Sequence, residues 1–154
     1  RDLGGVCLVT FVPRFISPRA RAWDEEVHAA ADRAGVQVND LAAYTAFSRT
    51  YAADDPAPLA TLEDVVAHVE HIREVAGPDH IGLGGDYDGV DRLPEGLRDV
   101  SGYPALLGAL ADRGWSATDL AKLTSGNILR VLDAADATAA GLADQPPSRA
   151  RLIT

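Results

Sequence analysis

Apolar positions fall along this chain in two rhythms. Residues 6–12, Val-Cys-Leu-Val-Thr-Phe-Val, form a nearly unbroken apolar run after Gly4-Gly5. Such a run predicts a strand buried on both faces, as in parallel sheets, and within it Cys7 reads as a buried small apolar residue. Pro13 and Pro18 end the run, and the Ala- and Glu-rich stretch Arg19–Ala34 predicts a helix closed by Gly35. Asn39 is placed to cap a second helix over residues 40–52, and Asp54-Asp55-Pro56-Ala57-Pro58 is a loop.

Thr61 opens the strongest helical pattern. Thr61-Leu62-Glu63-Asp64 resembles a capping box, with Asp where Glu or Gln is preferred. Leu62, Val65, Val66, Val69, Ile72 and Val75 then recur at three- and four-residue spacing and make one apolar face. Gly77-Pro78 stops the helix. Ile81 to Gly85 is a short strand that dissolves into the loop Asp86-Tyr87-Asp88-Gly89, and residues 90–102 are irregular. Tyr103–Arg113 and Ala117–Lys122 are expected as helices, the latter capped by Ser116, and Asn127 is expected to cap a last helix. From residue 141 to 154 the Pro-, Ser- and Arg-containing tail is expected to fray.

Strand, helices, strand, helices is the order of a parallel α/β sheet with right-handed crossovers. The segments 6–12 and 81–86 are expected to lie side by side and parallel. Two strands do not make a stable sheet covered on both faces, so further strands are expected from outside this chain. The opening Arg1-Asp2-Leu3-Gly4-Gly5 reads as the end of a helix and an αβ turn, as if the chain began inside a domain.

Composition narrows the functional classes. The 154 residues are 47% apolar and 24% charged, with a net charge of −9. No Lys- or Arg-rich run is long enough to follow a phosphate backbone, so nucleic acid and anionic membrane surfaces are not expected partners. No apolar stretch reaches the roughly 20 residues of a membrane span. Cys7 is the only cysteine, which leaves no intrachain disulfide and no cysteine-based zinc site.

The densest candidate for chemistry is Gly84-Gly85-Asp86-Tyr87-Asp88-Gly89. Asp86 stands where the strand runs out, the position at which α/β barrels carry their active residues. Flanking glycines let a ligand approach the backbone closely. With a turn at Tyr87, one carboxylate can face a pocket while the other braces the loop; the competing view is that both aspartates only form the turn. Sharper motifs fail. An EF-hand loop begun at Asp86 would have Asp91 and Leu97 where glycine and an acid are required. The third glycine and helix of a dinucleotide fingerprint are missing, as is Gly-x-Ser-x-Gly. His68 and His71 lie three apart on one helix, but no further donor is obviously placed to complete a metal site, and they are taken as flank residues. His28 is isolated, His80 is structural, and Trp23 and Trp115 are core or interface anchors.

These segments, in this order, resemble the C-terminal third of the membrane (renal) dipeptidase family. The resemblance is carried by Gly4 through Pro13, by the helix Ala67–Gly77, by Ile81–Val90, by Leu93 through Pro104, and by Gly126-Asn127-Ile128-Leu129-Arg130-Val131. Residues 19–52 look like a helical insertion common in bacterial members. The resemblance implies a (β/α)8 TIM-type barrel of which residues 1–140 are the C-terminal part. It implies a zinc-dependent dipeptidase in which two zinc ions activate a hydroxide, with all metal ligands outside this chain. Asp86 then corresponds to the last-strand aspartate that holds the substrate ammonium and handles the proton of the attacking water. Gly89 lines the same pocket. Phe15 falls where some members have a substrate-contacting tyrosine, and Thr10 replaces an asparagine. The expected partners are a dipeptide substrate, the missing N-terminal barrel part and a possible second copy. The alternative is a non-catalytic family member acting as a binding module.

Overall fold

A computed structural model describes residues 2–145. The elements are β1 (Cys7–Val9), α1 (Pro13–Ile16), α2 (Pro18–Arg33), α3 (Leu41–Asp54), α4 (Leu62–Ala76), β2 (Ile81–Leu83), α5 (Tyr103–Asp112), α6 (Ala117–Ala121) and α7 (Asn127–Gly141). Short 3₁₀ turns at Pro78–His80 and Val100–Gly102 precede β2 and α5, and a π turn over Lys122–Gly126 joins α6 to α7. The expected fraying from residue 141 falls largely on residues 146–154, which lie outside the described residues.

β1 and β2 are parallel, with Cys7 opposite Ile81, Leu8 opposite Gly82 and Val9 opposite Leu83. Hydrogen bonds carry the pairing beyond both strands: Gly84 N–H donates to Val9 O at 2.9 Å, and Phe11 N–H to Gly85 O at 3.2 Å. The side-by-side parallel arrangement expected from the two apolar runs is therefore present, although the regular strands are shorter than the runs. One face of the pair is core. Val9, Phe11 and Ile81 are buried with Val65, Val66 and Val69 of α4, Leu97, Leu106, Leu110, Trp115 and Leu123. The other face is open, with Leu8 lying across Gly82 and Gly84, where a side chain at Gly82 would meet Leu8 Cδ2 at 2.6 Å. Burial on both faces is thus corrected, and Cys7 is exposed. Among the described residues β1 has one strand neighbour and one helical cover, so its run is only half enclosed.

Local chemistry explains most helix ends. At α4 the capping box forms: Asp64 N–H donates to Thr61 Oγ1 at 3.2 Å and Thr61 N–H to Asp64 Oδ2 at 2.8 Å. Aspartate serves although glutamate is the commoner partner. The apolar face holds except at its last position, since Val75 is 65% exposed. α3 is capped by Asp40, whose carboxylate accepts from Ala43 N–H at 3.1 Å, and not by Asn39. Ser116 caps α6 through Asp119 N–H as expected.

Asn127 is the larger correction. The π turn runs without a break into α7, so no free helix start exists for it to cap. Its amide instead points into the core, 3% exposed, and donates to Pro78 O at 2.7 Å and Ile81 O at 2.8 Å. Arg130, one turn on, donates to Gly4 O at 2.9 Å and Asp79 O at 2.8 Å. The His80 ring lies 2.8 Å from Gly5 O, which supports a structural role. Together these groups tie the entries of both strands to α7.

Replacing Asn127 with leucine removes the amide donor from the Pro78 and Ile81 carbonyls, the latter buried. The expected loss is about 1–3 kcal/mol of unfolding free energy, read by urea denaturation. Ser125→Ala, at an exposed neighbouring position, should stay within about 0.5 kcal/mol.

Candidate functional site

The ladder ends at Gly85, and the turn beyond it decides where each side chain faces. Tyr87 folds back over Gly85 so closely that a Cβ there would sit 2.6 Å from Tyr87 Cε2. Its ring meets Phe11 edge-on at 5.9 Å, and its hydroxyl donates to Asp99 O at 3.1 Å. Phe11 meets Tyr103 in the same way at 5.9 Å. Burial, with Tyr103 adjacent, pushes the Tyr87 hydroxyl up to about 12, so it remains a donor across the physiological range.

Asp86 therefore turns the other way. Its φ of 60° makes it the one non-glycine residue in the left-handed region among the described residues, a conformation aspartate tolerates better than most residues. It is exposed. Its carbonyl accepts from Gly89 N–H at 3.2 Å, closing a tight turn. Its carboxylate lies against Gly89 Cα, where any Cβ would overlap Oδ1. Glycine at 89 is thus a steric requirement of the carboxylate's position. Asp86 and Gly89 lie together in this turn; Phe15 does not join them. It lies on α1, 48% exposed, with the Arg14 guanidinium 5.0 Å above its ring. Thr10 is half-buried just beyond β1.

The brace expected of Asp88 is supplied by another residue. Among the described residues the exposed Asp88 carboxylate accepts no hydrogen bond, whereas Asp99 accepts from Ser101 N–H at 2.8 Å. The Ser101 donors hold the Asp99 carboxyl below its ordinary range. The Asp99 carbonyl in turn anchors Tyr87. Gly102 lets this segment close, because a Cβ there would collide with Gly96 O and stand 3.0 Å from Leu97 Cδ2. Sequence reasoning singles out neither Asp99 nor Tyr87; the signal available is alternation, which puts Tyr87 opposite Asp86 on a strand end.

Beside Gly89 opens a cavity of about 670 Å³. Its walls are Val12, Pro13 and Arg14 after β1, residues 89–92 after β2, and faces of α2 and α3. Trp23 on this wall donates to Asp55 O at 2.9 Å and carries the Arg92 guanidinium at 4.6 Å. Trp115, by contrast, is core, 4% exposed, with Arg73 above its ring at 4.4 Å.

Donors for a metal are sparse. Among the described residues no group of three or more His, Cys, Asp or Glu is placed to hold an ion. His68 and His71 share α4, and burial, with the neighbouring His71, lowers the pKa of His68. The described residues do not by themselves fit a two-metal centre. No helix among them is long and apolar enough to cross a membrane.

The sequence model of the membrane dipeptidases, peptidase family M19, matches residues 1–146. Dipeptidase aclJ of Aspergillus oryzae is 46% identical over 91 residues, which is 59% of this chain and 22% of that protein. An uncharacterized dipeptidase of Schizosaccharomyces pombe is 55% identical over 73 residues, 47% of this chain and 18% of the relative. Dipeptidase 3 of Macaca fascicularis is 47% identical over 78 residues, 51% of this chain and 16% of the relative. The matched stretches thus span about a fifth of these relatives' lengths. The crystal structure of the probable dipeptidase PvdM from Pseudomonas aeruginosa superposes with a TM-score of 0.66 at 24% identity, over 84% of this chain and 36% of that one. At that identity the likeness bears on the fold, a mixed α/β arrangement with parallel strands. Matched over nearly its whole length, the chain belongs to the membrane dipeptidase family, peptidase family M19.

Proposed function

We propose that this chain is the C-terminal part of a zinc-dependent dipeptidase built as a (β/α)8 barrel, and that Asp86 is its catalytic carboxylate. Family membership supports the peptide-hydrolase class. The observation that carries the assignment of Asp86 is its orientation: it leaves the ladder in the left-handed region, exposed, while Tyr87 is turned into the core. Zinc ligands are assigned to residues outside this chain.

The chemistry asked of Asp86 suits a carboxylate so placed. A dipeptide carries a free ammonium within one residue of its scissile bond, and an exposed anion at a strand end can pair with it. The same oxygen can take a proton from the attacking water and return it to the leaving amine. Gly89 keeps space in front of that carboxylate. Phe15 is assigned to the substrate rim, an apolar surface without the hydroxyl of a tyrosine.

In the intact protein, Asp86→Asn should cut kcat by about a hundredfold or more while zinc content stays unchanged. Asp88→Asn, whose carboxylate accepts no hydrogen bond, should change it by no more than a few-fold. Gly89→Ala should follow Asp86→Asn in direction, because its methyl group displaces the carboxylate. Loss of zinc on Asp86→Asn would make the residue a ligand and end this assignment. Normal turnover in the same variant would favour the non-catalytic alternative for this loop. The chain of residues 1–154 alone is expected to bind well under two zinc ions and to leave Ala-Ala intact; metal analysis and an amine-release assay check both.

A further inference from the structure

The cavity beside Gly89 is built like a side-chain pocket, and its charges are unequal. It is formed where both parallel strands end, by the loops that leave them, and α2 and α3 close it from above. Ligands in parallel α/β structures enter at that end of the strands. Three arginines line it: Arg14, Arg49 and Arg92. Arg14 is matched, since Asp24 lies 3.4 Å from it and also 3.8 Å from His28. Among the described residues neither Arg49 nor Arg92 has a carboxylate within ion-pair distance. Asp91 on the same wall offsets one of them, which leaves one guanidinium in excess. That local surplus stands against a net charge of −9 for the chain. Arg92 is held in place, lying across Trp23, whose indole N–H is itself tied to Asp55 O. Tyr44 and Ser48 add two neighbouring hydroxyls on the same wall.

We propose that this cavity, lined by Arg49, Arg92 and Ser48, is a specificity pocket for a carboxylate-bearing side chain on the N-terminal residue of the dipeptide. The inference rests on the dipeptidase reading and on the ammonium-binding role of Asp86. Gly89 both touches the Asp86 carboxylate and lines the cavity. The side chain nearest the cavity is therefore the one borne by the same Cα as the ammonium. Guanidinium groups with unused donors pair with carboxylates in a two-pronged geometry that a neutral side chain of similar length does not repeat.

The test compares kcat/KM for Glu-Ala and Met-Ala in the zinc-loaded intact protein. A preference for Glu-Ala of about tenfold or more is expected from one charge-assisted contact. Arg49→Ala and Arg92→Ala should each move the ratio toward one, and Arg49→Glu should shift preference toward Lys-Ala. Arg49 is exposed, so its variants are expected to fold, which circular dichroism checks. Both dipeptides cleaved with a ratio near one, or a ratio unmoved by either alanine variant, overturns the pocket and leaves the dipeptidase reading standing. Cleavage of neither dipeptide overturns the dipeptidase reading, and the pocket with it.

Discussion

The hydrogen bond from Phe11 N–H to Gly85 O is the last rung between the two strands, and the geometry of the site depends on what that rung permits. It holds Gly85 against the end of β1, and Gly85 in turn has no side chain to keep Tyr87 away. Tyr87 can then lie flat over the backbone and bury its ring against Phe11. Tyr87 packs against the core, and the backbone at Asp86 takes the left-handed region with the residue exposed. A bulkier residue at 85 would expel the ring, and the carboxylate would lose its direction with it.

The rung is supported from two sides. Behind it, Asn127 and Arg130 of α7 satisfy the carbonyls of Pro78, Ile81, Gly4 and Asp79, where the strands begin. In front of it, the irregular segment after the turn is pinned to α4: Glu95 N–H donates to Ala60 O at 2.9 Å and Leu62 N–H to Glu95 O at 3.1 Å. That segment then delivers Asp99 to the Tyr87 hydroxyl. Buried backbone acceptors without donors are costly, so these ties make one arrangement of the loop much better than its neighbours.

Much of this is legible in the chain. The run 6–12 and the strand from Ile81 announce a parallel pair, and Thr61 announces its own capping box, because each signal is local and depends on chain geometry alone. Asp86 stands out for the same reason, at the end of a strand among glycines. The misreadings share a cause. Asn127 after Gly126 has the local chemistry of a cap, but the π turn removes the free helix start and the amide is drawn to carbonyls 46 and 49 residues away in sequence. Asn39 and Asp40 are both good caps, and only the backbone decides between them. Cys7 looks buried because an apolar run says nothing of how many neighbours its strand finds. The roles of Phe15 and Gly89 come from family resemblance, and only Gly89 has a steric counterpart in the structure.

The two helices α2 and α3 separate into a different energetic class from the rest. α3 buries none of its residues and α2 buries Ala20, Val27 and Ala31, whereas the core that orients Asp86 draws on the strands, α4, α5 and the π turn. The pair is joined largely by side-chain contacts such as Trp23 with Tyr51 at 6.1 Å and His28 stacked on Tyr44 at 5.2 Å. Substitutions on an exposed helical wall cost little stability, while those in a packed core cost several kcal/mol. Residues 41–52 can therefore vary without disturbing the loop that holds the carboxylate. The fold thus keeps the turn that carries Asp86 and the wall that carries Arg49 and Arg92 on separately packed parts, the first tied to the core and the second open to change.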